Sequence, residues 1–258
     1  MRNALVPTLL VVASLPLAAA DWIRIEPQIG LSKLSGDVTF TDNGVAGTRA
    51  DMSDLGLGSR ESTPGIEIAL DPPLLPFGFN FGASRFSTSG SGMLSKNLAF
   101  GGTTYTTGTT ISTDATLQDV YGEINFHPPF TRWDMAGISA GLAVHAMQAK
   151  VSVSAPSFAT QDVDKTAYFP AVTLRAYVSP IDALQVEGAV QYCSLTVGKS
   201  KVSYVNAQIQ AGYFPIHYLG LFAGYRQVSL DLTVDHSSSN LDASVNLSGP
   251  YVGLEARF

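Results

Sequence analysis

The chain has 258 residues, 45% hydrophobic and 14% charged, with 24 Gly and one Cys. That length fits one large domain or at most two, and the low charge argues against a disordered linker or acidic tail. A net charge of −6 without a basic run argues against a nucleic-acid partner, and one Cys excludes an internal disulfide framework or a Cys-based zinc site.

Met1-Arg2-Asn3 is a short positive start, and Ala4 to Leu17 form an apolar run interrupted by Pro7 and Pro16. Ala18-Ala19-Ala20 then supplies a small-x-small site before Asp21. Residues 1–20 are therefore expected to be a Sec signal peptide cleaved after Ala20, leaving 21–258 as a single domain of charge −7. An uncleaved anchor is the alternative, but the run is short of the ~20 residues a spanning helix needs. No Cys follows the site, so a lipid anchor is not expected, and Cys193 reads as unpaired and inert.

Beyond the leader, apolar residues recur with a period of two, the pattern of strands. Ile23, Ile25, Pro27, Ile29 and Leu31 share one face, opposite Arg24, Glu26 and Gln28. Ile66, Ile68 and Leu70 oppose Glu67; Phe77, Phe79 and Phe81 oppose Gly78, Asn80 and Gly82. Val120, Ile124 and Phe126 oppose Asp119, Tyr121, Glu123 and Asn125, and Ile138, Leu142 and Val144 oppose Ser139 and His145. Val172 and Leu174 oppose Arg175; Val186, Val190 and Tyr192 oppose Glu187, Gln191 and Cys193. Val205 and Ile209 oppose Asn206, Gln208 and Gln210; Leu221 and Tyr225 oppose Phe222 and Arg226. Val252, Leu254 and Phe258 oppose Tyr251, Gly253, Glu255 and Arg257. In the ninth segment the apolar phase switches to Val228, Leu230 and Leu232, which predicts a bulge or the end of a membrane band.

Connections alternate in kind. Asp71–Pro76, His127–Trp133, Ser179–Asp182 and Phe214–His217 are short and contain Pro, which cannot sit in a central ladder. The others, near 33–63, 87–116, 149–166 and 234–244, are longer and rich in Gly, Ser, Thr and Asp, while Gly198–Lys201 is a tight tip. A soluble sandwich would bury the apolar face. Here the opposite face is Gly, Ser, Gln and Asn with scattered charges, suited to a confined polar interior, and short turns at one end with long loops at the other match membrane barrels. Trp22, Phe77, Phe79, Phe126, Phe130, Trp133, Tyr213, Phe214, Tyr218 and Phe258 cluster near the turns like an interfacial girdle. The expected fold is all-β: a transmembrane antiparallel up-and-down barrel of ten strands, with eight or twelve as alternatives.

The ending Tyr251-Val-Gly253-Leu-Glu-Ala-Arg-Phe258 resembles the C-terminal signal that the barrel assembly machinery recognises in bacterial outer-membrane proteins. Asp54-Leu-Gly-Leu-Gly58, Pro72–Pro76, Phe86-Ser-Thr-Ser-Gly-Ser-Gly92, Phe100-Gly-Gly-Thr-Thr104 and Gly249–Gly253 together resemble a family of Gram-negative outer-membrane barrels without settled activity. The resemblance implies location in the outer membrane, among its lipid and lipopolysaccharide. It supplies no catalytic residues.

Candidate chemistry is sparse. Asp235-His236 with Ser237, and Asp51 with Asp54, fall in predicted outer loops and admit a rim hydrolase, either protease or lipid A-modifying; ordinary loop roles fit better. His145 reads as a packed interior residue. Asp37, Asp42, Asp51 and Asp54 lack calcium-loop spacing. Neither cofactor nor metal is expected, and 101–110 reads as a two-stranded extension. Arg24, Glu26, Glu67, Glu123, Arg175, Glu187, Arg226, Glu255 and Arg257 all fall on the inward face. They predict a lumen filled by side chains, since a wide aqueous channel needs about 16 strands. A three-residue loop at 180–182 predicts Arg175 directly opposite Glu187. The functional expectation is a structural or surface-interaction barrel without enzymatic activity; a narrow channel or small-ligand transporter is the alternative.

Overall fold

The computed structural model describes residues 22–42, 47–72, 75–100, 102–128, 132–133, 135–156, 158–235 and 239–258. The segment expected to be a signal peptide, Phe130, His236 and Ser237 lie outside them. The fold is all-β, a closed antiparallel barrel of ten long strands: β1 (Ile23–Asp42), β2 (Arg60–Leu70), β3 (Phe77–Met93), β4 (Thr110–Phe126), β5 (Ala136–Ala155), β6 (Phe158–Ile181), β7 (Leu184–Val197), β8 (Ser200–Ile216), β9 (Leu219–Asp235) and β10 (Ser239–Arg257). Each pairs with its chain neighbour, and β10 pairs with β1 from Arg24↔Arg257 to Asp42↔Ser239. Phe258 completes the seam: its N–H donates to the Ile23 carbonyl at 2.9 Å, and its own carbonyl accepts from Trp22 N–H at 2.9 Å. Closure leaves no sheet edge to strand amides in hydrocarbon. Trp22 and Phe258, the first and last described residues, both lie at the end with the Pro-containing turns.

The outward face carries an apolar band on every strand. Exposed Phe77, Phe126, Tyr213, Tyr218 and Phe258 border it at the turn end, and exposed Tyr168, Tyr192 and Tyr225 at the loop end. This second ring of tyrosines went unrecognised in the sequence. Phe214, assigned to the girdle, points inward instead, with the Arg257 guanidinium 3.6 Å over its ring.

Three expectations are corrected. The segments read as long loops are mostly strand: β1 and β10 stay paired to Asp42↔Ser239, β3 and β4 to Met93↔Thr110, and β5 and β6 to Ala155↔Phe158. Above the band the outward positions become polar, so composition mimics a loop while the ladder continues. The ninth segment has no bulge: its pairing with β10 is unbroken from Leu219↔Ala256 to Asp235↔Asn240. Val228 and Leu230 are buried on the inward face, so the membrane band ends at Tyr225 while the interior turns apolar. Finally, Arg175 lies opposite Ala189, and Glu187 opposite Tyr177. The strands run on to Ile181 and Leu184, with a register shift between Val178 and Ile181 that displaces the pairing.

The interior therefore changes character with height. The turn-end half is polar. The loop-end half holds two apolar clusters, one around Leu34, Leu55, Leu57, Phe86, Phe100 and Val153, the other around Met147, Phe169, Tyr204, Val228 and Leu230.

Candidate functional site

The turn-end lumen is crossed by a network of ions and amides. Inward parity brings its members together from nine strands, all but β5. Arg175 of β6 is its centre: Nε donates to Glu123 Oε1 at 2.6 Å, Nη1 lies 2.8 Å from Glu67 Oε1, and Glu187 is reached diagonally at 3.6 Å. Arg24 bridges Glu187 at 3.1 Å and Glu26 at 3.5 Å. Glu123 also accepts from Asn80 at 3.1 Å, Asn125 at 2.7 Å and Gln191 at 2.8 Å. The chain of bonds continues through Asn206 to Gln191 at 2.7 Å and Arg226 to Asn206 at 2.9 Å. Gln210 donates to Glu26 at 3.3 Å and accepts from Tyr251 Oη at 2.9 Å. Arg257 pairs with Glu255 at 2.7 Å and donates to Gln185 at 2.5 Å.

All nine charged residues picked from the sequence thus face the lumen, but in two groups. Arg24, Glu26, Glu67, Glu123, Arg175 and Glu187 form one ion cluster, joined through amides to Arg226. Glu255 and Arg257 pair beside Phe214 nearer the turn end. The sequence reading missed the amides that link them. Asn and Gln were evident at inward positions, but their partners depend on the stagger between strands. Glycine provides room for rings here: a Cβ on Gly82 would meet the Tyr121 ring at 2.2 Å, and one on Gly253 the Phe222 ring at 2.3 Å.

Above the network, His145 is fully buried, its Nδ1 3.0 Å from Asp119 Oδ1. Its ring stacks on Tyr121 and Phe169, and Nε2 has no hydrogen-bond partner among the described residues. The acid comes from β4, which explains why none was visible within the His145 segment. Of the rim acids, Asp37 pairs with Arg49 at 2.7 Å, which raises the Arg49 pKa, and Asp54 with Lys96 at 3.6 Å.

The loop end is roofed from within. Residues 47–58 fold back against β3, with Leu55 and Leu57 buried, and Leu98–Phe100 pairs with Thr103–Tyr105 as a hairpin beside them. Thr48 N–H donates to Ala99 O at 3.4 Å, and the Tyr105 hydroxyl to Val153 O at 3.5 Å; burial pushes the Tyr105 pKa up. Gly56 has φ +77°, and a Cβ on Gly90 would lie 2.0 Å from Gly56 O. The Asp54–Gly58, Phe86–Gly92 and Phe100–Thr104 stretches thus meet in one packing unit. Beneath this roof is an apolar cavity of about 360 Å³. A smaller polar cavity of about 230 Å³, bordered by Arg24, Asn125, Arg175 and Arg257, lies in the turn-end half.

No family model and no curated protein matches the chain. Solved structures do. The outer membrane protease OmpT from Escherichia coli has TM-score 0.53 and 14% identity, over 91% of this chain and 97% of that one. The translocator domain of the autotransporter NalP from Neisseria meningitidis has TM-score 0.43 and 11% identity, over 93% and 90%. Ail of Yersinia pestis has TM-score 0.33 and 10% identity, over 89% and 98%. The likeness to OmpT is one of fold: the chain is a transmembrane-type antiparallel barrel of ten strands.

Proposed function

We propose that the protein is an integral barrel of a bacterial outer membrane, plugged by its own side chains, with a structural or surface-interaction role and no enzymatic activity. The turn end faces the periplasm and the loop end the exterior. The observation that carries this reading is the Arg175 cluster, in which one guanidinium holds carboxylates from three other strands across the lumen. Such a group, once charged and buried, is held in place by the cost of unpairing it. The sealed environment of His145, without a hydroxyl or thiol hydrogen-bonded to it among the described residues, supports a packing role rather than acyl-transfer chemistry. In this reading, outer-membrane lipid and lipopolysaccharide surround the band. The assembly machinery reads Tyr251, Gly253 and Phe258 before Phe258 closes the seam.

Planar-bilayer recording of the refolded protein tests the plug. Wild-type protein is expected to show no steady conductance, and the double change Arg175→Ala with Glu123→Ala to introduce opening events. A stable wild-type conductance would instead establish the narrow channel.

A further inference from the structure

The loop-end cavity has a feature that closed packing does not require. Its lining is almost wholly aliphatic and aromatic, from Leu34, Leu55, Phe86, Met147 and Leu230 among others. At about 360 Å³ it is more than twice the size of an apolar cavity of about 150 Å³ that takes a benzene ring. Dry apolar space of that size costs stability when nothing fills it.

The barrel wall in front of it is low. β6 pairs with β7 only as far up as Val172↔Tyr192, whereas β5 and β6 continue together to the Ala155↔Phe158 tip. The β7–β8 hairpin turns back early, at Gly198-Lys199. The result is a notch at the level where the outer tyrosine ring ends the membrane band. One border of the notch is the β6 edge above Val172. On that stretch Lys165, between Val163 and Ala167, has inward parity, lines the cavity and is exposed. Lys150, also at the cavity margin, is neutralised by Asp164 at 2.9 Å. Lys165 makes no ion pair among the described residues. Lys201 stands on the low β7–β8 hairpin.

We infer that this cavity is a binding site for a small anionic amphiphile of the medium-chain carboxylate class, which enters from the exterior through the notch. The chain lies among Leu55, Phe86, Met147 and Leu230, and the carboxylate meets Lys165. The site rests on the outward orientation of the loop end and is independent of whether the lumen below conducts.

The test uses the full-length mature barrel in amphipol, with binding of fluorinated decanoate followed by ¹⁹F NMR. Saturable binding is expected. Ala149→Phe and Ala167→Phe, each placing a ring in the cavity, should weaken it tenfold or more while the protein stays heat-modifiable; two variants are made so that one folding failure does not decide. Lys165→Gln should weaken decanoate about tenfold and leave decanol unchanged. Absence of saturable binding, or equal affinity in wild type and both Phe variants, would overturn the site. Equal loss of decanol and decanoate in Lys165→Gln would overturn the role of Lys165. Binding of a decanoyl lysophospholipid in place of decanoate would overturn the free carboxylate as occupant. Conductance in wild type would sink the plug and leave this result standing.

Discussion

At the scale of single residues, Arg175 carries the most weight. It is buried with three carboxylates in reach, and the side chain of Glu123 is completely buried. Removing one partner of such a pair leaves the other charge unpaired, which costs about 3–5 kcal/mol. Arg175→Met is expected to lower the unfolding free energy by that amount, read from urea titration as a lower midpoint, and Glu123→Gln by less. The double variant should then lose little beyond Arg175→Met alone, because the two act through one contact. Fully additive losses would refute the pairing. On the exterior, the hydrogen bond from Lys150 and a second from Gln148 at 2.9 Å hold the Asp164 carboxyl below its ordinary value of 3.8. Its folded pKa is depressed, so its contribution to the β5–β6 hairpin is present above the ordinary value and lost as pH falls through the lower one. Being exposed, the pair adds little to global stability. Carboxyl ¹³C NMR should place the Asp164 midpoint below 3.8, and Lys150→Met should move it upward.

At the scale of elements, the packing of residues 47–58 against β3 gives a sharp contrast between neighbouring glycines. A Cβ on Gly90 would collide with the backbone of Gly56, whereas one on Gly58 meets nothing within 4 Å. Gly90→Ala is therefore expected to cost about 1–3 kcal/mol and to open residues 47–58 to protease. Gly58→Ala should change neither, and equal cleavage of both variants would show that the segment does not pack as described. This region also shows where sequence reading stops. The period of two fixed the parity of the nine charges read as inward, from Arg24 to Arg257. It could not fix stagger, so it set Arg175 against Glu187 when Glu67 and Glu123 are closer. Nor could composition separate loops from strands above the band: Gly90-Ser-Gly92 looks like a linker, but its glycines are spaces that Leu55-Gly-Leu57 fills. Val228 and Leu230 were visible as a change of phase, yet the change belongs to the surroundings and not to the strand.

At the scale of the whole molecule, the proposed orientation is tested by epitope insertion. A tag after Gly102 should be labelled on intact cells and one after Pro128 only after permeabilisation; the reverse pattern would overturn the orientation. The inversion of polarity with height has a mechanical consequence. Below the tyrosine ring, oil lies outside the wall and polar groups inside; above it, water lies outside and oil inside. Lys33 and Arg85 point outward just above the band on β1 and β3, and a lysine or arginine drawn toward the bilayer midplane costs about 2–4 kcal/mol. Sinking would drag these cations into hydrocarbon, and rising would lift Ile29 and Leu31, exposed at the top of the apolar band on β1, into water. The barrel cannot slide along the membrane normal in either direction without penalty. A bilayer of different thickness must deform to meet it, and the notch beside Lys165 stays pinned at the height of the lipid headgroups.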